Sequence, residues 1–222
     1  THWKRRSMRP LELLTPVILA IYLLYPLSGK KRPPAVGILP AFALLVIATH
    51  ANFEGMRWQM IPLYVFSAAT LLLSIPSFLK TQLGSEAGIR PLRVILSLVL
   101  LALATLLPIL LPVPAIPAPS GPHQIGTRIY ELTDTSRREL YSGADDARRF
   151  QVQIWYPAEA DPAAERSPWM ENAEVFAPSI ASYLDLPSFF LDHLALVKVP
   201  AYKNALFAPT NGGFPVILFS HG

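Results

Sequence analysis

Charge vanishes from long stretches of the first half of the chain and returns, in an alternating pattern, in the second. Residues 13–29, 33–53, 58–79 and about 94–112 carry no Asp, Glu, Lys or Arg. A membrane-crossing helix needs roughly 20 apolar residues, with a working range of about 17 to 25. Stretches two and three meet that length. The fourth, VILSLVLLALATLLPILL, is almost entirely Leu, Ile, Val and Ala. The first is marginal: Lys4, Arg5, Arg6 and Arg9 precede it, as in a signal peptide, but Lys30, Lys31 and Arg32 follow it where a small-residue cleavage site would stand. The pattern predicts about four spans, or three if the first is a signal. A soluble buried bundle is the remaining reading, and it fits poorly because these segments have no polar face.

From Gln124 the period changes to two. QIGTRIYELTD sets Ile125, Ile129 and Leu132 among polar neighbours, and FQVQIWYPA puts Phe150, Val152, Ile154 and Tyr156 on one face before stopping at Pro157. SGADDARR, residues 142–149, brings a Gly and two Asp between them and predicts a turn, so the two runs form an antiparallel pair. Residues 159–208 are irregular, with one or two helices expected, near 173–183 and 189–197. The run VILF at 216–219 is continuously apolar, as in a strand buried on both faces of a mainly parallel sheet. Such a strand needs neighbours and covering helices, so the expectation is a truncated domain. Between the halves, LPVPAIPAPSGPH (111–123) is proline-rich and reads as an extended, semi-rigid spacer. The organisation is a transmembrane helical region at 1–113, a linker at 114–123 and a soluble portion at 124–222.

Charge sharpens this division. Residues 1–113 hold 11 Lys and Arg against 3 Asp and Glu, whereas residues 114–222 hold 8 against 12. The net charge of +4 is therefore an average of two unlike regions, and it does not point to nucleic acid. There is no cysteine, which excludes disulfides, thiolate catalysis and cysteine-held metals. The positive-inside count is nearly balanced. The preferred orientation puts both termini outside the cytoplasm, with Lys30, Lys31, Arg32, Lys80, Arg90 and Arg93 inside.

One polar cluster interrupts the apolar half: HANFEGMRW, residues 50–58. His50 and Glu54 share a helical face, and Arg57 follows. Ionisable groups at membrane depth are usually functional, as in a proton relay or an ion site. The plainer reading, which the sequence favours, is a short turn between two spans at the water interface. His123 and His193 read as surface or linker residues, and no His/Asp/Glu set has metal-ligand spacing in the sequence.

Three stretches of the second half, IGTRIYELTDTSRREL (125–140), VQIWYPA (152–158) and FPVILFSHG (214–222), resemble the platelet-activating factor acetylhydrolase family, a branch of the α/β-hydrolases with membrane-linked bacterial members. The resemblance covers about 123–222. It implies an α-helical membrane bundle followed by the N-terminal strands of an α/β-hydrolase domain. In that family the strand ending in His-Gly leads to a backbone N–H of the oxyanion hole, which makes His221 and Gly222 the oxyanion-loop positions. Such donors, about 2.7–3.1 Å from the developing charge, stabilise acyl-transfer transition states by roughly 3–4 kcal/mol.

The nucleophile elbow G-x-S-x-G is not found in these 222 residues. GSEAG at 84–88 has Ser misplaced, and Ser220 follows Leu218 where the elbow wants Gly. His221 would precede any elbow serine, so it is not the catalytic base and reads as a packing residue beneath the loop. The implied function is a membrane-anchored serine ester hydrolase acting on phospholipid or other small esters. It would need no cofactor or metal, and its partner is the lipid bilayer of the cell membrane. The chain itself, lacking the triad, is expected to be inactive. The alternative is a non-enzymatic membrane protein with a vestigial or binding soluble module.

Overall fold

The computed structural model describes residues 8–30, 32–82, 91–141, 146–159, 161, 163–209 and 212–220. They divide into two compact units. One holds Thr1–Ala115 and Met170–Val197, the other Ile116–Trp169 and Lys198–Gly222.

The first unit is helical. It comprises α1 (Pro10–Leu24), α2 (Pro34–Gly37), α3 (Leu39–Phe53), α4 (Ile61–Gln82), α5 (Pro91–Leu110) and α6 (Ala173–Tyr183). Pro10 opens α1, where its missing N–H costs nothing, and Glu12 reaches back to accept the Arg9 N–H at 2.9 Å. A 3₁₀ turn at Tyr25–Ser28 extends α1, and Gly29 stops it in the left-handed region at φ 70°. Helices α1, α3, α4 and α5 pack in a ring, α1 on α3, α3 on α4, α4 on α5 and α5 on α1. Leu19, Ala43, Met60 and Leu63 are fully buried at its centre. The outer face is apolar too; Leu73 is 77% exposed and Leu92 75%.

Pro10–Ser28, Trp58–Pro76 and Pro91–Leu110 are long and apolar enough to cross a membrane. The expected span at 33–53 is broken instead. Ile38 separates α2 from α3, and the 15 residues of α3 reach only about 22 Å, against a hydrocarbon core of about 30 Å. Three helices among the described residues therefore reach spanning length, not four. Helix α6 follows the expected boundaries; it buries the stripe Ala173, Ala177 and Ala181 and packs on the second helical segment, Ser188–Leu196, which is 3₁₀.

The second unit is a mixed four-stranded sheet in the order β2-β1-β4-β3, from β1 (Gln124–Arg138), β2 (Ala147–Ala158), β3 (Arg166–Pro168) and β4 (Lys198–Lys203). β1 and β2 pair antiparallel as predicted, in register from Gln124 opposite Ala158 to Asp134 opposite Arg148. The predicted turn falls largely at 142–145, outside the described residues. β4, unforeseen, pairs parallel with β1 and antiparallel with β3. No helix of this unit lies among its described residues, so the apolar face of β2 stays open; Phe150 is 41% and Ile154 45% exposed.

The buried strand expected at 216–219 does not form. Val216, Ile217, Leu218 and Phe219 are 84–93% exposed. An apolar run becomes a strand only by pairing its backbone in a ladder, and the described residues offer it no partner strand.

Candidate functional site

In the sheet unit, the three motifs behind the family resemblance meet at one place. Gly126 of β1 lies directly opposite Tyr156 of β2. A Cβ at Gly126 would collide with the Tyr156 ring, so only glycine lets the ring lie across the neighbouring strand. The Tyr156 hydroxyl donates to the Ala205 carbonyl at 2.7 Å, and Phe207 stacks on the ring at 5.8 Å. Ala208 N–H to Pro157 O and Glu159 N–H to Leu206 O, both 2.9 Å, fasten the segment after β4 to the end of β2. Phe207 meets Phe214 edge-on at 5.7 Å, and Phe214 meets His123 at 5.6 Å. His123 is exposed, as expected. This aromatic relay from Tyr156 to Phe214 anchors the start of FPVILFSHG on the sheet. His221 and Gly222 lie outside the described residues.

Thr127 is buried beside this junction. Its hydroxyl accepts from Gln153 Nε2 at 3.0 Å, and its carbonyl accepts the N–H of Asn204 at 2.9 Å. At the far end of β1, Asp134 accepts from Ser136 and Arg137, and these bonds draw its carboxyl down to about 2.

The helical unit holds a second constellation, built around the turn between α3 and α4. The expected turn joins α3 to the next helical segment at 54–57, but His50 and Arg57 are buried in it, as is Glu12 of α1. Arg57 grips Glu12 through Nε to Oε1 at 2.7 Å and Nη2 to Oε2 at 2.8 Å. Arg9 holds the same carboxylate at 2.8 Å. Both arginines also satisfy orphan carbonyls at helix ends. Arg57 donates to Pro108 O and Leu111 O at the end of α5, and Arg9 to Glu54 O and Gly55 O at the end of α3. Cations thus stand at two helix C-termini and an anion at the N-terminus of α1, the signs that helix dipoles favour. His50 bridges Glu54 Oε2, at 3.0 Å from Nδ1, and the Tyr64 hydroxyl, at 2.8 Å from Nε2.

Glu12, His50 and Glu54 each offer a ligand atom, all within 4.8 Å of one another, so the fold assembles a metal-capable triad that sequence spacing concealed. Charge argues against a cation there. Two guanidinium groups already balance the two carboxylates, and a divalent ion would bring uncompensated positive charge into a buried place. The arrangement works as an electrostatic clamp tying four helices. Glu12 and Tyr64 were missed in sequence because Arg57 and His50 reach them from other segments, and Arg9 because the carbonyls it covers lie at the end of α3. The available signal was Glu12 itself, a lone carboxylate at the head of an apolar segment.

His193, expected at the surface, is only 6% exposed. The 3₁₀ segment turns it inward, and among the described residues its Nδ1 finds no hydrogen-bond partner. Burial, reinforced by the positive field of Arg57, lowers its pKa, while the Phe190 carbonyl and Asp192 oppose that shift.

The description platelet-activating factor acetylhydrolase, isoform II, belongs to the family model that matches residues 112–222. A protein of Schizosaccharomyces pombe described as "Putative phospholipase A2" is 32% identical over 117 residues, 48% of this chain and 26% of that protein. The chain therefore spans about a quarter of the length of that relative. Among solved structures, a ferulic acid esterase from Streptomyces cinnamoneus overlaps at 23% identity and TM-score 0.33, over 43% of this chain and 25% of the esterase. The matched residues make up half of the chain and contain all three motifs that converge on the Gly126–Tyr156 junction: the chain belongs to the platelet-activating factor acetylhydrolase, isoform II, family.

Proposed function

We propose that residues 112–222 are the opening portion of a lipid-ester hydrolase domain that works through a serine acyl-enzyme, carried on a membrane-embedded helical unit. The family match over 112–222 carries this reading, and the phospholipase description of the Schizosaccharomyces pombe relative agrees with it. The apolar outer faces of α1, α4 and α5 support the membrane part, because a soluble bundle would leave them in water.

In this mechanism a serine Oγ attacks the ester carbonyl, the C–O bond to the alcohol breaks, and water later cleaves the acyl-serine. As the family resemblance implies, His221 and Gly222 of the FPVILFSHG segment are the oxyanion-loop positions. Gly222 supplies the tight turn that aims the next backbone N–H at the charged oxygen, and His221 packs beneath the loop. The nucleophile, acid and base lie outside these 222 residues, consistent with the lack of a G-x-S-x-G string in them. Substrates are acetylated phospholipids or other small carboxylic esters, without a cofactor.

The test is a comparison of the 222-residue chain in detergent with the whole gene product. The chain should show no hydrolysis of a short p-nitrophenyl ester above background. The whole product should cleave an acetyl-glycerophosphocholine ester, and Gly222→Val in it should cut kcat on the order of 10²–10³-fold. Activity in the chain that disappears with Ser220→Ala, or an unchanged kcat with Gly222→Val, overturns the assignment.

A further inference from the structure

At the end of the helical unit where α1 gives way to α2, the guanidinium of Arg32 lies over the ring of Tyr22, 4.4 Å from its centre. Arg32 Nη1 donates to the Tyr22 hydroxyl at 3.1 Å. Tyr22 is buried, and its hydroxyl proton meets no acceptor among the described residues. Arginine carries five N–H donors, so most of those on Arg32 also remain available. Phenol and guanidinium together present several donors at one corner, with no acceptor for them among the described residues.

The corner forms one wall of a shallow cleft whose other sides include Gly37, Ser74 and Phe78. It encloses little more than a water's space, so a ligand caps its mouth instead of filling it. Gly37 is required there, since a Cβ would stand 2.6 Å from the Phe78 ring. Ile38, Ile75 and Leu79, which follow the lining residues Gly37, Ser74 and Phe78 in sequence, are 57%, 45% and 55% exposed, so apolar side chains stand next to the cleft-lining positions.

Charge selects the ligand. Between Glu12 and Glu131 the sequence contains only Glu54 and Glu86 as acids. Glu54 is engaged at the opposite end by His50 and Arg9, and Glu86 lies outside the described residues. In sequence, residues 30–32 and 80–93 set Lys30, Lys31, Arg32, Lys80, Arg90 and Arg93 against Glu86 alone. An acceptor-rich anion matches the donors, a phosphate fits the planar fork of arginine, and the apolar rim asks for hydrocarbon attached to it.

We infer that the Tyr22–Arg32 corner binds the phosphodiester headgroup of an anionic phospholipid, with an acyl chain running beside Ile75 and Leu79. The inference rests on the membrane-embedded reading of the helical unit, and the two are tested apart.

Alkaline carbonate extraction of cell membranes addresses the reading. Retention of the chain in the pellet supports it, and release overturns both it and the lipid site. For the site, the chain in neutral detergent is titrated with phosphatidylglycerol, phosphatidylcholine or inorganic phosphate and followed by native mass spectrometry and thermal shift. Phosphatidylglycerol should bind and raise the melting temperature where the other two do not. Arg32→Ala should weaken that binding about tenfold and Arg32→Lys less, with unchanged circular dichroism. Equal protection by phosphatidylcholine or inorganic phosphate, or Arg32→Ala and Arg32→Lys both binding like the parent, overturns the inference while leaving the membrane reading intact.

Discussion

The two ends of the helical unit use arginine in opposite ways. At one end Arg9 and Arg57 turn inward, share Glu12 and cover the last carbonyls of α3 and α5. At the other, Arg32 lies half-buried on Tyr22 with no carboxylate in ion-pair reach among the described residues. The difference follows from where the acids are. Glu12 and Glu54 sit in or beside the turns of the first end, whereas the second has only Glu86 by sequence. A buried arginine beside a carboxylate becomes a structural fastener, and the same residue without one remains a binding group. The comparison also bears on orientation. By sequence more cations than acids flank that second end, so on the positive-inside tendency we propose that it faces the cytoplasm, with α2 and α3 returning the chain between the ends and both ends of the ring facing outside.

The largest effect expected from this asymmetry is all-or-none. Alkaline phosphatase fused after Gly121 should be strongly active, and a fluorescent reporter that matures only in the cytoplasm should stay dark at that position. The reverse result would show that the basic end faces outward and that its charge does not set the topology.

Next in size is the clamp. Glu12→Gln leaves Arg57 buried without its carboxylate, and breaking a buried pair from one side costs on the order of 3–5 kcal/mol. Arg32→Gln, at the half-buried corner, should cost less than about 1 kcal/mol. Chemical unfolding in micelles measures both. The double substitution Glu12→Leu with Arg57→Met should recover much of the Glu12→Gln loss, because an apolar pair of similar bulk removes the stranded charge. Equal losses for Glu12→Gln and Arg32→Gln would erase the distinction between the ends.

How much of this was legible in sequence depends on the range of the interactions. β1, β2 and α6 were legible because period-two alternation and the apolar spacing of 173–183 are local signals. β4 was not. Its ladder partner Ile125 is remote in sequence, and Pro200 interrupts the strand pattern of KVPAYK. The run at 216–219 misled for the complementary reason, since its composition is that of a strand but pairing decides. Around the candidate site, the motifs pointed to the right stretches. Sequence could not show that Gly126 and Tyr156 face each other, which depends on register. The clamp was half legible: His50, Glu54 and Arg57 stood out as a cluster, but their burial depends on Glu12 and Arg9 arriving from α1.

The smallest expected effect probes how far the field of the clamp extends. His193 is buried, and Arg57 adds positive charge to its surroundings, so the folded protein disfavours the imidazolium and holds the ring below its ordinary pKa of 6.5. Above that value the ring is neutral in both folded and unfolded chains, and it contributes no pH dependence. As the pH falls through 6.5, the unfolded chain takes up a proton that the folded one refuses. Stability must therefore fall with pH below 6.5, by at most about 1.4 kcal/mol per pH unit, and level off once the folded pKa is passed. Unfolding free energies at pH 7.5 and 6.0 measure the decline, and His193→Leu should flatten it relative to the parent. Arg57→Met paired with Glu12→Leu separates the two causes. If burial is the main cause of the lowered pKa, the slope should shrink only slightly in that pair. A slope that vanishes there would mean that the charge of Arg57 governs His193, and a parent slope identical to that of His193→Leu would mean that His193 takes up its proton as readily folded as unfolded.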